Sequence, residues 1–533
     1  MILTTSYLFS HLSPDSTTLY ITPYTPPVKR NSNELIPIEV AKIAYFVRHQ
    51  TPSSDGRGSS QVSCYYLGKN SDSSYNTFKF TLDADSPGLP TSLEHLVVRR
   101  GSDAQSRRPV ELVFNPKSGH GYSTALLNDV VLPLLKPLEE ADLFAPARIW
   151  ETQGKNDGER IGKELAKEDD CSDKTVIILG GDGTVHEVLN GAVSAGSTQK
   201  SLLDLVLIPT GTANAMYFHL FPPESPAYPT TAPVSAFYSL VSFLRQTSSP
   251  LALPLAHNTI SRRSNPHPNP PPTLTSVVTS AALHACLLHD AEELRESHPG
   301  VERFKLAAQE NVKIWWSGVL ALRGARRYDS RTKKFEVVDP QGEEEEVKLE
   351  GPFAYWVSSL ISRFEPNFVV APLRSPQHEL APSPVTNDAS TIDLVVIRPL
   401  RHIPTGKTFA AQGDQEAAKK TFADIVWGVT GGMYDGGKHV DMVYPEGEGI
   451  DDIDQRGGDL GSTEIVEVFR VNEFSWTPVS CNTARSASAL CTASSDLKSN
   501  LVCFDGALHD LGEGGSLSTR VLGTDQTGVR IWR

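Results

Sequence analysis

A glycine-rich turn that follows an apolar run is the segment of this sequence best suited to chemistry. Residues 176–179 read Val-Ile-Ile-Leu, and they lead into Gly180, Gly181, Asp182 and Gly183 before a helix-like segment begins. Glycines let the backbone approach a phosphate group closely, and the free amide groups at a helix start attract its negative charge. The turn therefore predicts a polyphosphate-binding site.

The aspartate of this turn is the candidate catalytic group. The Asp182 carboxylate could hold Mg²⁺, or it could take a proton from an attacking hydroxyl group. The structural alternative is an ordinary Asp-Gly turn, in which Thr184 and Glu187 form a capping box at the start of the helix. His186 is interpreted as a helix-face residue, because Asp182 already occupies the turn.

Two more loops with polar residues and glycines follow apolar, strand-like segments. Residues 114–122 read Phe-Asn-Pro-Lys-Ser-Gly-His-Gly-Tyr, and residues 208–215 read Ile-Pro-Thr-Gly-Thr-Ala-Asn-Ala. From Val110 onward, apolar strands alternate with helix-like stretches, which is typical of a parallel α/β domain. Ligands of such sheets bind at the carboxyl ends of the strands, so the three loops predict one shared binding edge.

These three loops resemble the signature motifs of the diacylglycerol kinase catalytic domain, which sphingosine, ceramide and diacylglycerol kinases share. The matching segments are Asn115-Pro-Lys-Ser-Gly-His-Gly, Gly180-Gly-Asp-Gly-Thr-Val-His-Glu-Val-Leu-Asn-Gly and Pro209-Thr-Gly-Thr-Ala-Asn-Ala. The resemblance is specific over roughly residues 111–221. It implies an α/β nucleotide-binding domain similar to those of phosphofructokinases and NAD kinases, followed by a β-sandwich that completes a lipid site.

The resemblance also implies roles for individual residues of these loops. Asp182 is implied as the catalytic base, with Gly180, Gly181 and Gly183 beside the acceptor hydroxyl of the substrate. The implied nucleotide contacts are Asn115, Pro116, Lys117, Thr152, Glu187, Thr212, Ala213 and Asn214. The implied cofactors are ATP and Mg²⁺, and the metal ligands stay unassigned.

Two later segments resemble the same family. Residues 290–303 resemble the segment in which two arginines bind the ATP phosphates, here Arg295 and Arg303, and a solvated, charge-rich helix is the alternative. Asp505 and Gly506 resemble the start of the closing Asp-Gly-Glu motif, which is implied to contact ATP. A tight Asp-Gly hairpin turn is the alternative there.

The sequence favours an ATP-dependent lipid kinase that phosphorylates a primary hydroxyl, with a sphingoid long-chain base ranked first. This ranking rests on residues 290–303 and on Phe504-Asp-Gly, which look closest to that branch of the family. A diacylglycerol or ceramide kinase is one alternative, and a soluble-substrate kinase resembling NAD kinases is another. A third is a catalytically weak lipid-binding regulatory protein, motivated by Ala507 in place of glutamate and by the nearly apolar residues 285–289.

The chain is long enough for several domains. Its 533 residues predict about three, because domains average roughly 150 residues. The expected units are a β-rich accessory module (1–105), the catalytic α/β domain (106–245) and a β-sandwich lipid-binding domain (246–533). Insertions in the third unit are expected to be disordered because of their biased composition, and they span residues 257–273, 340–348, 446–463 and 482–499.

Charge and cysteine usage narrow the possible partners. A net charge of −14 disfavours nucleic-acid binding. The six cysteines form no CxxC pair, which fits a reducing cytosolic setting. No apolar run reaches the roughly 20 residues needed to cross a bilayer. The expected protein is therefore cytoplasmic, without a transmembrane segment, and attached peripherally to the membrane that holds its lipid. The sequence does not predict its oligomeric state.

Overall fold

The computed structural model describes eighteen parts of the chain. They are residues 6–24, 35–51, 59–70, 74–82, 89–98, 108–167, 173–193, 202–232, 234–246, 249–263, 269–298, 300, 302–338, 346–374, 390–411, 415–450, 463–479 and 498–533.

Strands and α-helices of the described residues fall into three regions along the chain. The first region holds β1 (Ser6–Leu12), β2 (Thr18–Tyr24), β3 (Ile36–Glu39), β4 (Ile43–Thr51), β5 (Ser59–Lys69) and β6 (Tyr75–Leu82). The second holds β7 (Val110–Phe114), α1 (Tyr122–Leu126), α2 (Leu132–Glu140), β8 (Ala147–Glu151), α3 (Asp157–Lys167), β9 (Lys174–Gly180), α4 (Asp182–Ala192), β10 (Leu203–Pro209), α5 (Ala215–Leu220), α6 (Tyr238–Arg245) and β11 (Leu251–Ala252).

The third region is mostly strands. It holds β12 (Leu255–Ser261), β13 (Thr273–Thr275), β14 (Val278–Ala281), α7 (Ala282–Glu293), α8 (Glu302–Asn311), β15 (Gly318–Arg323), β16 (Arg326–Asp329), β17 (Lys334–Val337), β18 (Val347–Glu350), β19 (Tyr355–Ser359) and β20 (Ile392–Ile397). It continues with α9 (Ile403–Ala410), α10 (Gln415–Tyr434), β21 (Glu467–Val471), β22 (Glu473–Pro478), β23 (Leu501–Phe504), β24 (Ala507–Asp510), β25 (Ser516–Leu522), α11 (Thr524–Thr527) and β26 (Val529–Ile531).

The first region is a six-stranded sheet in the order β3-β2-β1-β6-β5-β4. It rests on the second region, with which it shares an apolar cluster. The Tyr45 hydroxyl donates a hydrogen bond to the Leu134 carbonyl at 2.6 Å, and the Arg245 guanidinium donates to the carbonyls of Ile43 and Ala44. The N-terminal sheet is thus fixed to α2 and α6, on the second region.

The second region is an α/β layer whose sheet order is β11-β26-β10-β9-β7-β8. Its central strand β9 is buried along its whole length, as expected for a strand that helices cover on both faces. Strands β8, β7, β9, β10 and β26 are parallel. The predicted parallel α/β fold is therefore confirmed.

Helices α3 and α4 approach closely because glycines face each other at their crossing. A Cβ atom at Gly191 would lie 2.1 Å from the Glu159 carbonyl oxygen, and one at Gly162 would lie 2.3 Å from that of Val188. No side chain fits either position. This contact fixes the helix that starts at the glycine turn.

The third region consists of two sheets with the orders β13-β12-β25-β22-β15-β18 and β17-β16-β21-β20-β19-β14-β23-β24. Aromatic side chains join them: the Trp356 ring lies 5.4 Å from Trp476 and 5.9 Å from Phe474 between centroids. Trp356 belongs to the second of these sheets, and its two partners belong to the first. Their side chains are fully buried, so the core of this region lies between the sheets.

Two details differ from the expected boundaries. The late strand β26 inserts between β10 and β11, so the α/β sheet extends beyond residues 106–245. Residues 257–261 belong to β12, and residues 347–348 to β18, where disorder was expected, because polar side chains alternate with buried ones along them. The remaining predicted insertions fall largely on residues 264–268, 340–345, 451–462 and 482–497, which lie outside the described part of the chain.

Candidate active site

Strand register brings the three predicted loops to one edge of the α/β sheet. Phe114 pairs with Leu179, Leu179 pairs with Ile208, and Phe114 also pairs with Glu151. The loops that follow these four strands therefore begin at the same level. This is the shared edge that the sequence predicts, and Thr152 lies buried at the end of β8 on the same edge.

The glycine turn lies against the loop that follows β10. Thr210 donates its backbone N–H to the Gly180 carbonyl at 3.2 Å, and a Cβ atom at Gly211 would lie 2.4 Å from Gly181 Cα. By contrast, none of the described residues comes within 4 Å of the Cβ position at exposed Gly183. The turn is thus held on one side and open on the other, where a substrate group could approach.

Asp182 joins this turn to the next helix. Its carboxylate accepts hydrogen bonds from the backbone N–H groups of Ala215 at 2.8 Å and Met216 at 3.0 Å, which begin α5. Burial raises the pKa of Asp182; these two hydrogen bonds oppose the rise, and the negative charge of Asp505 adds to it. Asp182 is therefore a firmly oriented carboxylate with an increased affinity for a proton.

The loop after β7 is shaped by its own polar groups. The Asn115 side-chain oxygen accepts the Lys117 N–H at 3.0 Å, while Lys117 itself is exposed. Pro116 is half-buried between them. The Thr210 hydroxyl donates to the Ser118 hydroxyl at 3.0 Å, which ties this loop to the loop after β10.

Asn214 shapes the loop after β10. Its amide group accepts the Gly211 N–H and donates to the Gly211 carbonyl, both at 2.8 Å, and its backbone is left-handed with φ 52°. Thr212 is exposed and Ala213 is half-buried. The Asn214 side chain thus holds the loop, and Thr212 is the member of this group that solvent reaches most freely.

Glu187 caps the neighbouring helix. Its carboxylate accepts the N–H groups of Asn156 and Gly158, each at 3.0 Å, at the start of α3. The N-cap of α4 is Gly181, so the alternative capping box of Thr184 and Glu187 is not formed. A carboxylate at the positive end of α3 is favourable by itself.

Asp505 comes to the same site from the third region. It lies with Gly506 in the two-residue turn between β23 and β24, where both residues have positive φ, 49° and 93°. Its buried carboxylate accepts N–H groups of Ser276, Val277 and Val278 at 2.8 to 2.9 Å. The two interpretations of this segment are therefore compatible: Asp505 forms the predicted Asp-Gly hairpin turn, and it also lies at the candidate site.

His186 was not among the predicted site residues, yet it connects the two halves of the site. Its Nδ1 lies 3.2 Å from the Asp505 carboxylate, and the imidazole is buried. Asn190, one turn later, exchanges hydrogen bonds with the backbone of Leu274. Asp182, His186 and Asn190 are spaced by four residues and so share a helix face. This four-residue spacing is the signal in the sequence by which His186 could have been found.

Positive side chains also lie near this junction. Burial, followed by electrostatic interactions with His186, Arg262 and Lys155, lowers the pKa of His509 to about 4. Arg262 is anchored through a hydrogen bond to the Asp510 carbonyl at 2.8 Å. Lys155 is exposed in the loop between β8 and α3. Such a group of cations favours an anionic ligand.

Arg295 and Arg303 lie close to each other near α7 and α8. Arg295 is exposed and pairs with Glu292 at 2.9 Å. Arg303 is buried against the Phe304 ring, and burial, followed by the Arg295 charge, lowers its pKa. Within the described residues, no hydrogen bond or ion pair joins either arginine to the glycine turn.

One cluster of side chains on α7 has donor atoms close enough together to hold a metal ion, but hydrogen bonds already occupy part of it. Donor atoms of His289, Asp290 and Glu293 lie within 4.8 Å of one another. Asp290, however, already accepts hydrogen bonds from Lys498 and Asn311, both at 2.6 Å. An imidazole nitrogen and a carboxylate that already accepts two hydrogen bonds are poor ligands for Mg²⁺. This ion prefers oxygen ligands and keeps several of its water molecules when it binds. Lys498 belongs to a predicted disordered insertion, yet here it forms an ion pair.

Two comparisons of the sequence with known proteins each find a match over part of the chain. Residues 109–240 match the family model described as "Diacylglycerol kinase catalytic domain". A segment of 109 residues is 30% identical to "Sphingoid long-chain bases kinase 1" of Arabidopsis thaliana; it covers 20% of this chain and 13% of that protein. The chain thus matches only a small part of the length of this curated relative.

Solved structures are similar over more of the chain but at low identity. A crystal structure assigned as a diacylglycerol kinase from Bacillus anthracis str. Sterne is 15% identical, covering 82% of this chain and 98% of the other, with a TM-score of 0.42. The structure of yeast NADH kinase complexed with NADH is 8% identical, covering 80% and 83%, with a TM-score of 0.30.

Proposed function

We propose, from the premise that residues 109–240 form a catalytic domain of the diacylglycerol kinase family, that this protein is an ATP-dependent lipid kinase. The observation that carries the proposal is the oriented Asp182 carboxylate in a glycine turn that stays open at Gly183. Phosphoryl transfer depends mostly on positioning and on stabilising charge, and this edge of the sheet supplies both.

In the proposed reaction the lipid hydroxyl approaches the glycine turn at Gly183. Its oxygen forms a bond to the γ-phosphorus of ATP while the bond from that phosphorus to the β,γ-bridging oxygen breaks. The hydroxyl proton passes to the Asp182 carboxylate, whose raised pKa suits it to accept a proton. The two N–H groups of α5 keep the carboxylate oriented during this step.

We propose Mg²⁺ as the ion that accompanies ATP; its ligands stay unassigned, because the carboxylates of Asp182 and Asp505 already accept two and three backbone N–H groups. When bound with ATP, Mg²⁺ supplies positive charge to the phosphate oxygens. The proposed ATP contacts at the sheet edge are Asn115, Pro116, Lys117, Thr152, Glu187, Thr212, Ala213 and Asn214. The ATP contacts proposed on the third region are Arg295, Arg303, Asp505 and Gly506.

For the substrate, we propose a sphingoid long-chain base. The support is the resemblance of residues 290–303, together with the partial match to a plant protein named for that substrate class. Diacylglycerol and ceramide are the alternatives within the family. We further propose a cytoplasmic protein that reaches its lipid at a membrane surface; none of the described helices has the length and apolarity to cross a bilayer.

Radiolabelled ATP tests this proposal directly. The purified protein is given γ-labelled ATP and Mg²⁺ with sphingosine, phytosphingosine, ceramide or diacylglycerol in detergent micelles, and NAD serves as a soluble acceptor. We expect label to enter a lipid, most strongly a sphingoid base, and Asp182→Asn to abolish this. Labelling of NAD alone supports the NAD-kinase alternative. ATP binding without labelling of any acceptor supports a regulatory lipid-binding protein.

A further inference from the structure

Helix α10 exposes an aromatic face although its opposite face is buried. Phe422, Val426 and Val429 point into the core, whereas Trp427 and Tyr434 are 40% and 53% exposed. These two residues are seven positions apart, which places them on the same side of the helix. Exposed tryptophan and tyrosine at this spacing form an apolar surface that no described residue covers.

Glycines make this surface flat. Both Gly428 and Gly431 are exposed; Gly431 lies between the two aromatic residues on their side of the helix, and Gly428 lies about 100° round the helix from Trp427. Among the described residues, nothing lies within 4 Å of the Cβ position at Gly431, and only the Met442 methyl group, at 3.8 Å, lies near that of Gly428. The two rings therefore stand at the ends of a low, open strip. We call Trp427, Gly428, Gly431 and Tyr434 the aromatic strip.

A row of rings leads from the aromatic strip into the protein. The Tyr434 ring lies 4.9 Å from Phe368, Phe368 lies 6.3 Å from Phe364, and Phe364 lies 5.3 Å from the half-buried His284 ring, all between ring centroids. His284 is on α7, which packs on β23, and β23 ends one residue before Asp505. The row of rings thus joins the strip to α7, which packs on the strand that precedes Asp505.

Charges around the strip nearly cancel. Asp435 and Lys438 form an ion pair at 2.7 Å just beyond the end of the helix. Lys420 and Asp424, which are also exposed, precede the strip with one charge of each sign. The Glu365 carboxyl group lies within electrostatic reach of the Tyr434 hydroxyl and adds at most one negative charge, so the attraction of this surface for a partner is mainly apolar.

We propose that the aromatic strip of α10 docks the protein on a lipid bilayer, an inference that rests on the proposed lipid kinase function. Tryptophan and tyrosine combine an apolar ring with a polar group, and they are enriched where membranes meet water. We commit to a bilayer as the occupant because the proposed substrate is a lipid and because the charges around the strip nearly cancel.

Intrinsic fluorescence can detect this docking. The chain has seven tryptophans, all in described residues, and Trp427 alone among them is exposed. We expect vesicles of phosphatidylcholine with brominated acyl chains to quench its emission, and Trp427→Phe to remove the quenched component. Because the strip is nearly neutral, we expect the quenching to persist in high salt, where surface charges are screened.

Vesicle sedimentation without ATP gives the matched comparison. We expect the double variant Trp427→Ser/Tyr434→Ser to weaken binding by at least about tenfold, since two partly buried aromatic side chains are lost. The control is Val337→Ser, which removes a 64% exposed apolar residue on β17 and should leave binding within about twofold. Thermal unfolding of each variant verifies that it is folded.

Several outcomes would overturn the proposal. Vesicle binding that is absent in the wild type, or unchanged in the double variant, excludes the strip as the docking surface. A wild-type dimer that the double variant converts to a monomer in analytical ultracentrifugation identifies a second copy as the occupant instead.

The proposed kinase function is tested apart from this surface. A short-chain lipid that is monomeric in solution needs no bilayer, so the double variant should phosphorylate it as the wild type does. Failure of the wild type on every lipid rejects the kinase function, while the sedimentation result still decides the role of the strip.

Discussion

Asp182 and Asp505 are two carboxylates of one site that are held in different ways. Asp182 accepts two N–H groups from the start of a helix, and its pKa is raised. Asp505 accepts three backbone N–H groups and also contacts His186. We therefore expect the two carboxylates to have different roles. The Asp182 carboxylate can accept a proton, and the Asp505 carboxylate holds the hairpin in place against helix α4.

The largest effect is expected from Asp182→Asn. The amide cannot accept the hydroxyl proton, so turnover should fall by at least about a hundredfold, a typical contribution of a general base. One side-chain oxygen remains to accept an N–H of α5, so the loss of stability should be about 1 kcal/mol. Steady-state kinetics and urea unfolding measure the two effects. Near-normal turnover in the folded variant would remove Asp182 from the mechanism.

The pH dependence should carry the signature of the same residue. Because the folded pKa of Asp182 is raised above 3.8, its ionisation should give kcat/KM an acidic limb above that value. Between the unfolded pKa and the folded pKa, the Asp182 carboxyl group is protonated in the native state and ionised in the unfolded chain. Stability from this group is therefore present below pH 3.8 and lost as pH rises through the folded pKa. Unfolding titrations of the wild type and Asp182→Asn should differ in that window and run parallel above it.

Asp505→Asn should affect stability more than Asp182→Asn does. The variant keeps one oxygen acceptor for three backbone N–H groups, and an unsatisfied buried donor costs about 1 to 3 kcal/mol. Urea unfolding gives the loss of stability, and kinetics at a temperature where the variant is folded should show weaker activity. If Asp505→Asn is as stable as the wild type, the carboxylate does not hold the hairpin.

His186→Ala tests the link between the halves. We expect turnover to fall by up to about tenfold, because Asp505 loses one hydrogen bond of about 1.5 kcal/mol to a charged group. His186→Asn retains a donor and should recover part of the loss. The control is Asn190→Ala, which breaks the contacts to Leu274 and the 3.5 Å contact with His186 Nδ1 but removes no partner of Asp505 itself. An equal loss in the control would indicate general docking of the regions instead.

Ala507→Glu should have the smallest effect. Ala507 is half-buried in β24, directly after the Asp505 turn, where the resembling family carries glutamate. A carboxylate restored there should tighten ATP binding by less than about tenfold, equivalent to at most about 1.4 kcal/mol. Isothermal titration with ATP and Mg²⁺ measures this. An unchanged affinity would mean that the end of the hairpin does not reach the nucleotide.

The sequence alone was sufficient to predict the parts of the site that are local in the chain. The apolar run before Gly180 predicts a buried parallel strand, and the glycine turn follows it directly. The contact of His186 with Asp505 joins residues that are 319 positions apart, so no local pattern can reveal it. Glu187 likewise caps α3 only because the glycine crossing brings the two helices together.

The insertion of β26 between β10 and β11 has a consequence for the order of folding. While the ribosome synthesises the chain, the other strands of the α/β sheet emerge well before Val529–Ile531 does. Until β26 is synthesised, the edge of β10 that pairs with it stays unpaired and exposed to other strands or to chaperones. Such a contact between distant parts of the chain slows folding. The α/β sheet is therefore expected to close only after the third region has been synthesised.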